Sequence, residues 1–337
     1  MNDATTRQAS AVPREAYDPQ QFFVPSVNDD TVTLDRVPAV ARVGGAEAGS
    51  GGAGRGAAVL GEGSVTGAAD SSAERSNVIV CSSASGGIGA STAVALLARE
   101  LALELRHDER HISLVDADIC ASGGGMDVLL GLEREGGKRW HEVQAPLGSL
   151  DGRALYAELP QWQDVAILSF APWREPHPQW WDVQAAVRAL ADDGNVVVVD
   201  AGRGSVVKTV PLLMAAHHVV FLELSVLGLA RAKAHVAWLR GAEEFRGGIA
   251  AVAGVEPTGS ARGRGVLSVA RAERYMGCDV CGPIRADNRL CSDVLEGMGL
   301  GSVPRKVRGG VKRLASLVMD AFESSRAMSQ REVRETS

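Results

Sequence analysis

Six short apolar runs rich in β-branched residues recur from residue 77 onward: "NVIVCSS", "HISLVDAD", "DVAILSF", "NVVVVDAG", "HHVVFLELS" and "GIAAVAG". Longer stretches of helical period separate them. Runs that are apolar throughout belong to strands covered on both faces, and connections long enough to hold a helix return the chain parallel to itself. The pattern predicts an α/β fold, a doubly wound and mostly parallel sheet with helices on both sides. Helices are expected at 90–105, 181–191 and 227–240, and an amphipathic run at 311–322 closes the unit. No short period repeats, which argues against a solenoid.

Residues 1–75 are different in kind. The stretch "ARVGGAEAGSGGAGRGAAVLGEGSVTGAADSSAERS" is rich in Gly, Ala and Ser and has neither helix nor strand period. Such a composition buries too little apolar surface to offset its ordering entropy. It reads as a flexible arm, with "FFVPSV" at 22–27 its one apolar island. The organisation expected is therefore an arm over 1–75, one domain over 76–326 and a frayed tail over 327–337. No stretch approaches the roughly 18 consecutive apolar residues of a membrane span, and the N-terminus lacks a signal-peptide profile. The expected location is the cytoplasm. A net charge of −6 argues against a surface built throughout to hold nucleic acid, and five cysteines, an odd number, read as reduced thiols.

The loop "CSSASGGIGAST" follows the first strand and opens the first helix. There the backbone N–H groups and the helix dipole face an anion, and glycines let the backbone approach it. Asp116 and Asp118 end the second strand in "LVDADI", and Asp200 ends "VVVVD" before "AGRG". In an open parallel sheet, ligands sit outside the carboxyl ends of the strands, so these groups are expected to converge on one crevice. A hydroxyl from Ser91 with carboxylates beside a polyphosphate is the hard-oxygen set that magnesium takes. The competing reading is that strand-end aspartates cap the turns that follow.

Strand, "SGGIGAST", helix, "ISLVDADICASGGGMDVLLGLE", "VVVVDAGRG", "HHVVFLELSVLGLARAK" and "GPIRADNRL", in that order, resemble the motif series of the MinD/ParA family of deviant P-loop ATPases. Within that family the chain looks most like the CpaE/TadZ branch and the related actinobacterial septum-site-determining, CpaE-like proteins found near secretion genes. The family loop reads Gly-Lys-Gly-Gly-x-Gly-Lys-Thr-Thr, where this chain has Ala84, Ser85, Gly86, Gly87, Ile88, Gly89, Ala90, Ser91 and Thr92. The resemblance implies nucleotide binding by residues 85–92. It puts Ser85 where the family has the lysine that crosses the dimer, and Ala90 where it has the lysine on the β/γ-phosphates. It implies magnesium held by Ser91, Asp116 and Asp200, and Asp118 as the catalytic residue that positions the attacking water. Gly204 pairs with Asp200 in switch II, and Asp287 belongs to the loop near the base, where Arg285 replaces a proline. ATP and Mg2+ are the implied cofactors. A homodimer is implied, with pilus, secretion or cell-division proteins as partners and recruitment to the pole, the septum or the inner face of the membrane.

Each absent lysine removes a charged hydrogen bond of roughly 1.5–3 kcal/mol, or about ten- to a hundredfold in affinity. Catalysis suffers more, because charge builds on the phosphoryl oxygens. Arg203, in the switch II segment, is the candidate to supply part of that charge. Three readings follow: a nucleotide switch with slow or no hydrolysis, an ATPase whose lysine roles are filled elsewhere, and a scaffold that binds partners without nucleotide. Elsewhere, Cys278-x-x-Cys281 is a weak zinc signal, and "DV" between the two cysteines reads as a short strand. "PWREPHPQWW" reads equally as a partner ledge or as a loop over the sheet edge. "PRKVRGGVKR", over 304–313, offers membrane or DNA contact, with docking of the last helix on the sheet the favoured alternative.

Overall fold

The computed structural model describes residues 77–108, 110–118, 125–146, 148–170, 178–258 and 263–336. The arm over 1–75, the 22–27 island and Cys120 lie outside the described residues, as does most of "PWREPHPQWW". The strands are β1 (Val78–Ser83), β2 (Ile112–Asp116), β3 (Gln161–Trp162), β4 (Val165–Leu168), β5 (Val196–Asp200), β6 (His217–Glu223), β7 (Ile249–Val255) and β8 (Cys281–Ile284). The helices are α1 (Ala90–Leu105), α2 (Met126–Leu130), α3 (Gly152–Glu158), α4 (Trp180–Ala191), α5 (Pro211–Ala215), α6 (Val226–Gly241), α7 (Val269–Met276), α8 (Asn288–Leu295) and α9 (Arg305–Thr336).

The strands form one sheet in the order β3-β4-β2-β5-β1-β6-β7-β8. Every pairing is parallel except that of the two-residue edge strand β3 with β4. The fold expectation holds. The central strand explains why: successive residues of β1 enter opposite cores, Val78 and Val80 on one face, Ile79 and Cys81 on the other. Helices α4, α5, α6 and α7 cover the first face, with Val187, Leu213, Leu229 and Ala272 in its core. Helices α1 and α9 cover the second, through Leu97, Leu101, Leu314 and Phe322. Strand β1 lies between β5 and β6, where the winding of the sheet reverses, so the loop after β1 opens at the switch point.

Six of the eight strands coincide with the apolar runs. The short strand read between Cys278 and Cys281 instead begins at Cys281 and ends at Ile284. Its residues, Cys-Gly-Pro-Ile, make no apolar run, and it pairs only with β7 at the sheet edge. Helix α9 starts six residues before the amphipathic run and continues to Thr336, through residues read from sequence as tail. The pair Gly309 and Gly310, weak in helix propensity, hides its beginning. A Cβ on Gly310 would lie 2.7 Å from the Pro283 carbonyl oxygen, so the helix needs glycine there to pack against β8.

Four of the five basic residues of 305–313 make contacts within the domain. Lys306 pairs with Asp287 at 3.1 Å and Lys312 with Glu100 at 3.4 Å. Arg308 donates to the Val303 carbonyl and Arg313 to the Gly282 carbonyl. With Val307, Val311, Leu314 and Val318 buried, the apolar stripe of α9 is consumed by docking.

Candidate functional site

The loop after β1 takes its shape from two glycines. Gly87 and Gly89 have φ of 73° and 79°, in the left-handed region that β-carbons disfavour. No heavy atom lies within 4 Å of where a Cβ on Gly86, Gly87 or Gly89 would stand, so the concave side of the loop is open. Gly89 is also the N-cap of α1 and offers no side-chain cap, which leaves the first N–H groups of a 16-residue helix facing that opening. Ser85 is buried within the loop: its backbone N–H donates to Ser83 Oγ at 3.2 Å, and Ser83 Oγ donates to the Ser85 carbonyl at 2.9 Å. A buried serine does not reach outward as a lysine would.

Ser85, Gly86, Gly87, Ala90, Ser91 and Thr92 line a cleft of about 520 Å³ with Asp116, Asp118, Asp200 and Arg203. Asp116 and Asp200 stand side by side because β2 and β5 pair in that register. Asp116 is fully buried; burial first and the neighbouring Asp200 second push its carboxyl up to about 8, against backbone N–H groups of Asp118 and Met126 that favour the charged form. Asp200 is raised too, again by burial first, although the Ser91 hydroxyl and the Gly202 N–H bond to it. Two adjacent buried carboxylates, one bonded to the Ser91 hydroxyl, are a hard-oxygen donor set that fits a divalent ion. Among the described residues no group of three or more His, Cys, Asp or Glu side chains makes a metal site. Magnesium would thus take the Ser91 and aspartate oxygens together with phosphate and water.

Asp118 is half-buried at the other wall. Burial raises its carboxyl, and the Arg203 guanidinium pulls it back down. Its carboxylate sits on Gly202, whose φ is 51°; a Cβ there would stand 2.2 Å from Asp118 Cγ. Gly202→Ala should therefore displace Asp118 and cost about 1–3 kcal/mol, read as a lowered urea midpoint. An unchanged midpoint would show that Asp118 is not seated there.

Gly204 does not line the cleft. It has φ of 80° and packs on His235 of α6, where a Cβ would come 2.9 Å from His235 Cε1. His235 in turn meets Ser82 Oγ at 2.9 Å. Asp287 also lies outside the cleft. It lines a second, more apolar recess of about 160 Å³ with Ile88, Leu96, Val255, Glu256 and Ile284. The two openings share Gly89, Thr92 and Val294 in their walls, so they adjoin. Asp287 N-caps α8 by accepting from Leu290 N–H at 2.9 Å. That bond, with Lys306, holds its carboxyl below the usual range.

Two features of the site carried no signal in the motif pattern. Glu256, the residue after β7, lines the recess and accepts the Ala286 N–H at 3.3 Å. Behind Asp116 lies a buried network in which Arg139 Nε donates to Asp127 Oδ2 at 2.7 Å, Ser169 Oγ donates to Asp127 Oδ1, and the Trp140 indole donates to the Asp116 carbonyl at 2.7 Å. Glu256 follows a strand but no motif singles it out, and nothing short of the fold points to Arg139.

No protein-family model matches the sequence, and none of the curated proteins does. Solved structures do match in fold. A ParA family ATPase from Chlorobium tepidum TLS aligns with a TM-score of 0.57 at 17% identity, over 72% of this chain and 98% of that one. The MinC:MinD cell division protein complex of Aquifex aeolicus gives 0.53 at 20% identity, over 72% and 96%. The septum site-determining protein MinD of Pyrococcus horikoshii OT3, complexed with Mg-ADP, gives 0.50 at 17% identity, over 74% and 95%. Residues of this chain thus share the fold of MinD and ParA ATPases.

Proposed function

We propose that the chain is an atypical MinD/ParA-type nucleotide-binding protein. In this reading it holds a nucleoside triphosphate with Mg2+ and hydrolyses it slowly or not at all. The observation that carries the reading is that an apolar recess adjoins a glycine-walled cleft lined by Ser91, Asp116 and Asp200. A base, a sugar and a polyphosphate need that sequence of environments. ATP is the nucleotide that the resemblance implies.

The residues divide the work. Backbone N–H groups of residues 86–92 bind phosphate; Ser91 and the aspartate pair hold the ion, which neutralises phosphoryl charge when bound. Asp118 orients a water, and Arg203, beside it in the cleft, supplies the positive charge that Ser85 and Ala90 do not. The protein would then act as a localisation or assembly factor. It would form a homodimer and serve a Tad-type pilus or secretion system, or septum placement, from the pole, the septum or the inner face of the membrane. Slow turnover suits a part that reports a bound state rather than cycling rapidly.

Calorimetric titration of the full chain with nucleoside triphosphates, with magnesium and with EDTA, tests this reading. Binding should require magnesium, Arg203→Ala should weaken it by about ten- to a hundredfold, and phosphate release should stay near background. No binding at millimolar nucleotide would overturn the reading.

A further inference from the structure

We propose that the recess selects guanine over adenine, with Glu256 as the residue that reads the base. This rests on the nucleotide reading above and names the substrate class of that site.

The recess holds few polar side chains. Asp287 is already committed, one oxygen to the N-terminus of α8 and the other to Lys306 at 3.1 Å. Glu256 and Arg285 remain as its charged lining groups. Glu256 is fixed at the end of β7: its backbone N–H donates to the Ile284 carbonyl at 2.9 Å, and its Oε2 accepts the Ala286 N–H. Its carboxylate therefore belongs to the wall and not to a wandering surface side chain.

An ionised carboxylate only accepts. Adenine presents to such a group one amino donor flanked by ring nitrogens whose lone pairs repel it. Guanine presents N1–H and the 2-amino group side by side, two donors matched to two carboxylate oxygens. Its O6 and N7 accept from a guanidinium, the pairing that arginine makes with guanine elsewhere. A recess walled by Ile88, Leu96 and Ile284 and lined by both Glu256 and Arg285 thus offers the acceptor and the donors that guanine needs.

The test is a set of calorimetric titrations of the full chain, wild type and Glu256→Gln, with the magnesium salts of GTP, ATP, ITP and inorganic tripolyphosphate. GTP should bind at least about tenfold more tightly than ATP, and ITP, which lacks the 2-amino group, should fall between them. Glu256→Gln should lower GTP affinity by about tenfold or more and leave ATP within about threefold. Tripolyphosphate binding, which reports the cleft alone, should not change, and this shows that the variant is folded. ATP binding as tightly as GTP to the wild type overturns the selectivity and leaves the nucleotide reading intact. So does a variant that weakens both equally. If tripolyphosphate and every nucleotide fail to bind a folded wild type, the nucleotide reading fails and the selectivity with it.

Discussion

Asp116→Asn should make the protein more stable at neutral pH while weakening its hold on magnesium. The Asp116 carboxyl is buried beside Asp200 and is pushed up to about 8 from an ordinary 3.8. The sign follows from linkage. Between those two values the folded chain keeps a proton that the unfolded chain has released, so stability falls as pH rises from about 4 to about 8 and then levels off. At pH 7 the shift corresponds to a cost of about 4 kcal/mol, as an order of magnitude, which an uncharged asparagine avoids. Asparagine also keeps an oxygen for the N–H groups of Asp118 and Met126 that Asp116 now accepts. Urea denaturation at pH 5, 7 and 8.5 should show the variant's advantage growing with pH in EDTA and shrinking when magnesium is added. A variant less stable than wild type at every pH would mean that the pair is already satisfied in its charged form.

Arg139→Met should cost about 3–5 kcal/mol, the usual result of leaving one member of a buried ion pair unpartnered. Arg139 and Asp127 are almost fully buried, and the guanidinium also donates to the carbonyls of Leu132, Gly137 and Glu135. Adding Asp127→Asn to Arg139→Met removes the stranded charge and should recover about half of the loss, a coupling that a double-mutant cycle isolates. A loss below about 1 kcal/mol in the single variant would contradict a paired, desolvated contact. The same change should weaken magnesium binding. Asp127 follows Met126, whose N–H bonds the Asp116 carboxylate, and Trp140 follows Arg139 and holds the Asp116 carbonyl. Arg139 is thus a positioning residue for Asp116.

What could be read in advance follows from physics. Strands β1, β2 and β4 to β7 are covered on both faces, so they declare themselves as unbroken apolar runs, and the open loop after β1 is announced by glycines after a strand. The convergence of Asp116, Asp118 and Asp200 on one cleft was legible because all three stand at the carboxyl ends of neighbouring parallel strands. Edge strand β8 was not, because one pairing partner and a glycine-proline pair leave no hydrophobic pattern. Gly204 packs on His235, a contact that only the packing of α6 reveals. Glu256 escaped because it lies outside both the glycine loop and the strand-end aspartates, and only the packing of β8 beside β7 brings it to the recess. Arg139, Asp127 and Ser169 escaped because they lie far apart in sequence and meet only when α2, the segment after it and the end of β4 close on one another.

Helix α9 has a mechanical meaning beyond its role as a lid on the sheet. Near its start, Lys306 grips Asp287 at the recess; 20 residues later, Arg326 donates to Asn77 at 3.3 Å and Ser325 meets His217 at 2.9 Å. At the α-helical rise that is a rod about 30 Å long, running from the carboxyl ends of the strands to their amino ends. Gly310, seated against Pro283, keeps that rod tight against β8 on the way. One unbroken helix thus ties the residue that caps α8 beside the recess to Asn77, the residue from which β1 starts.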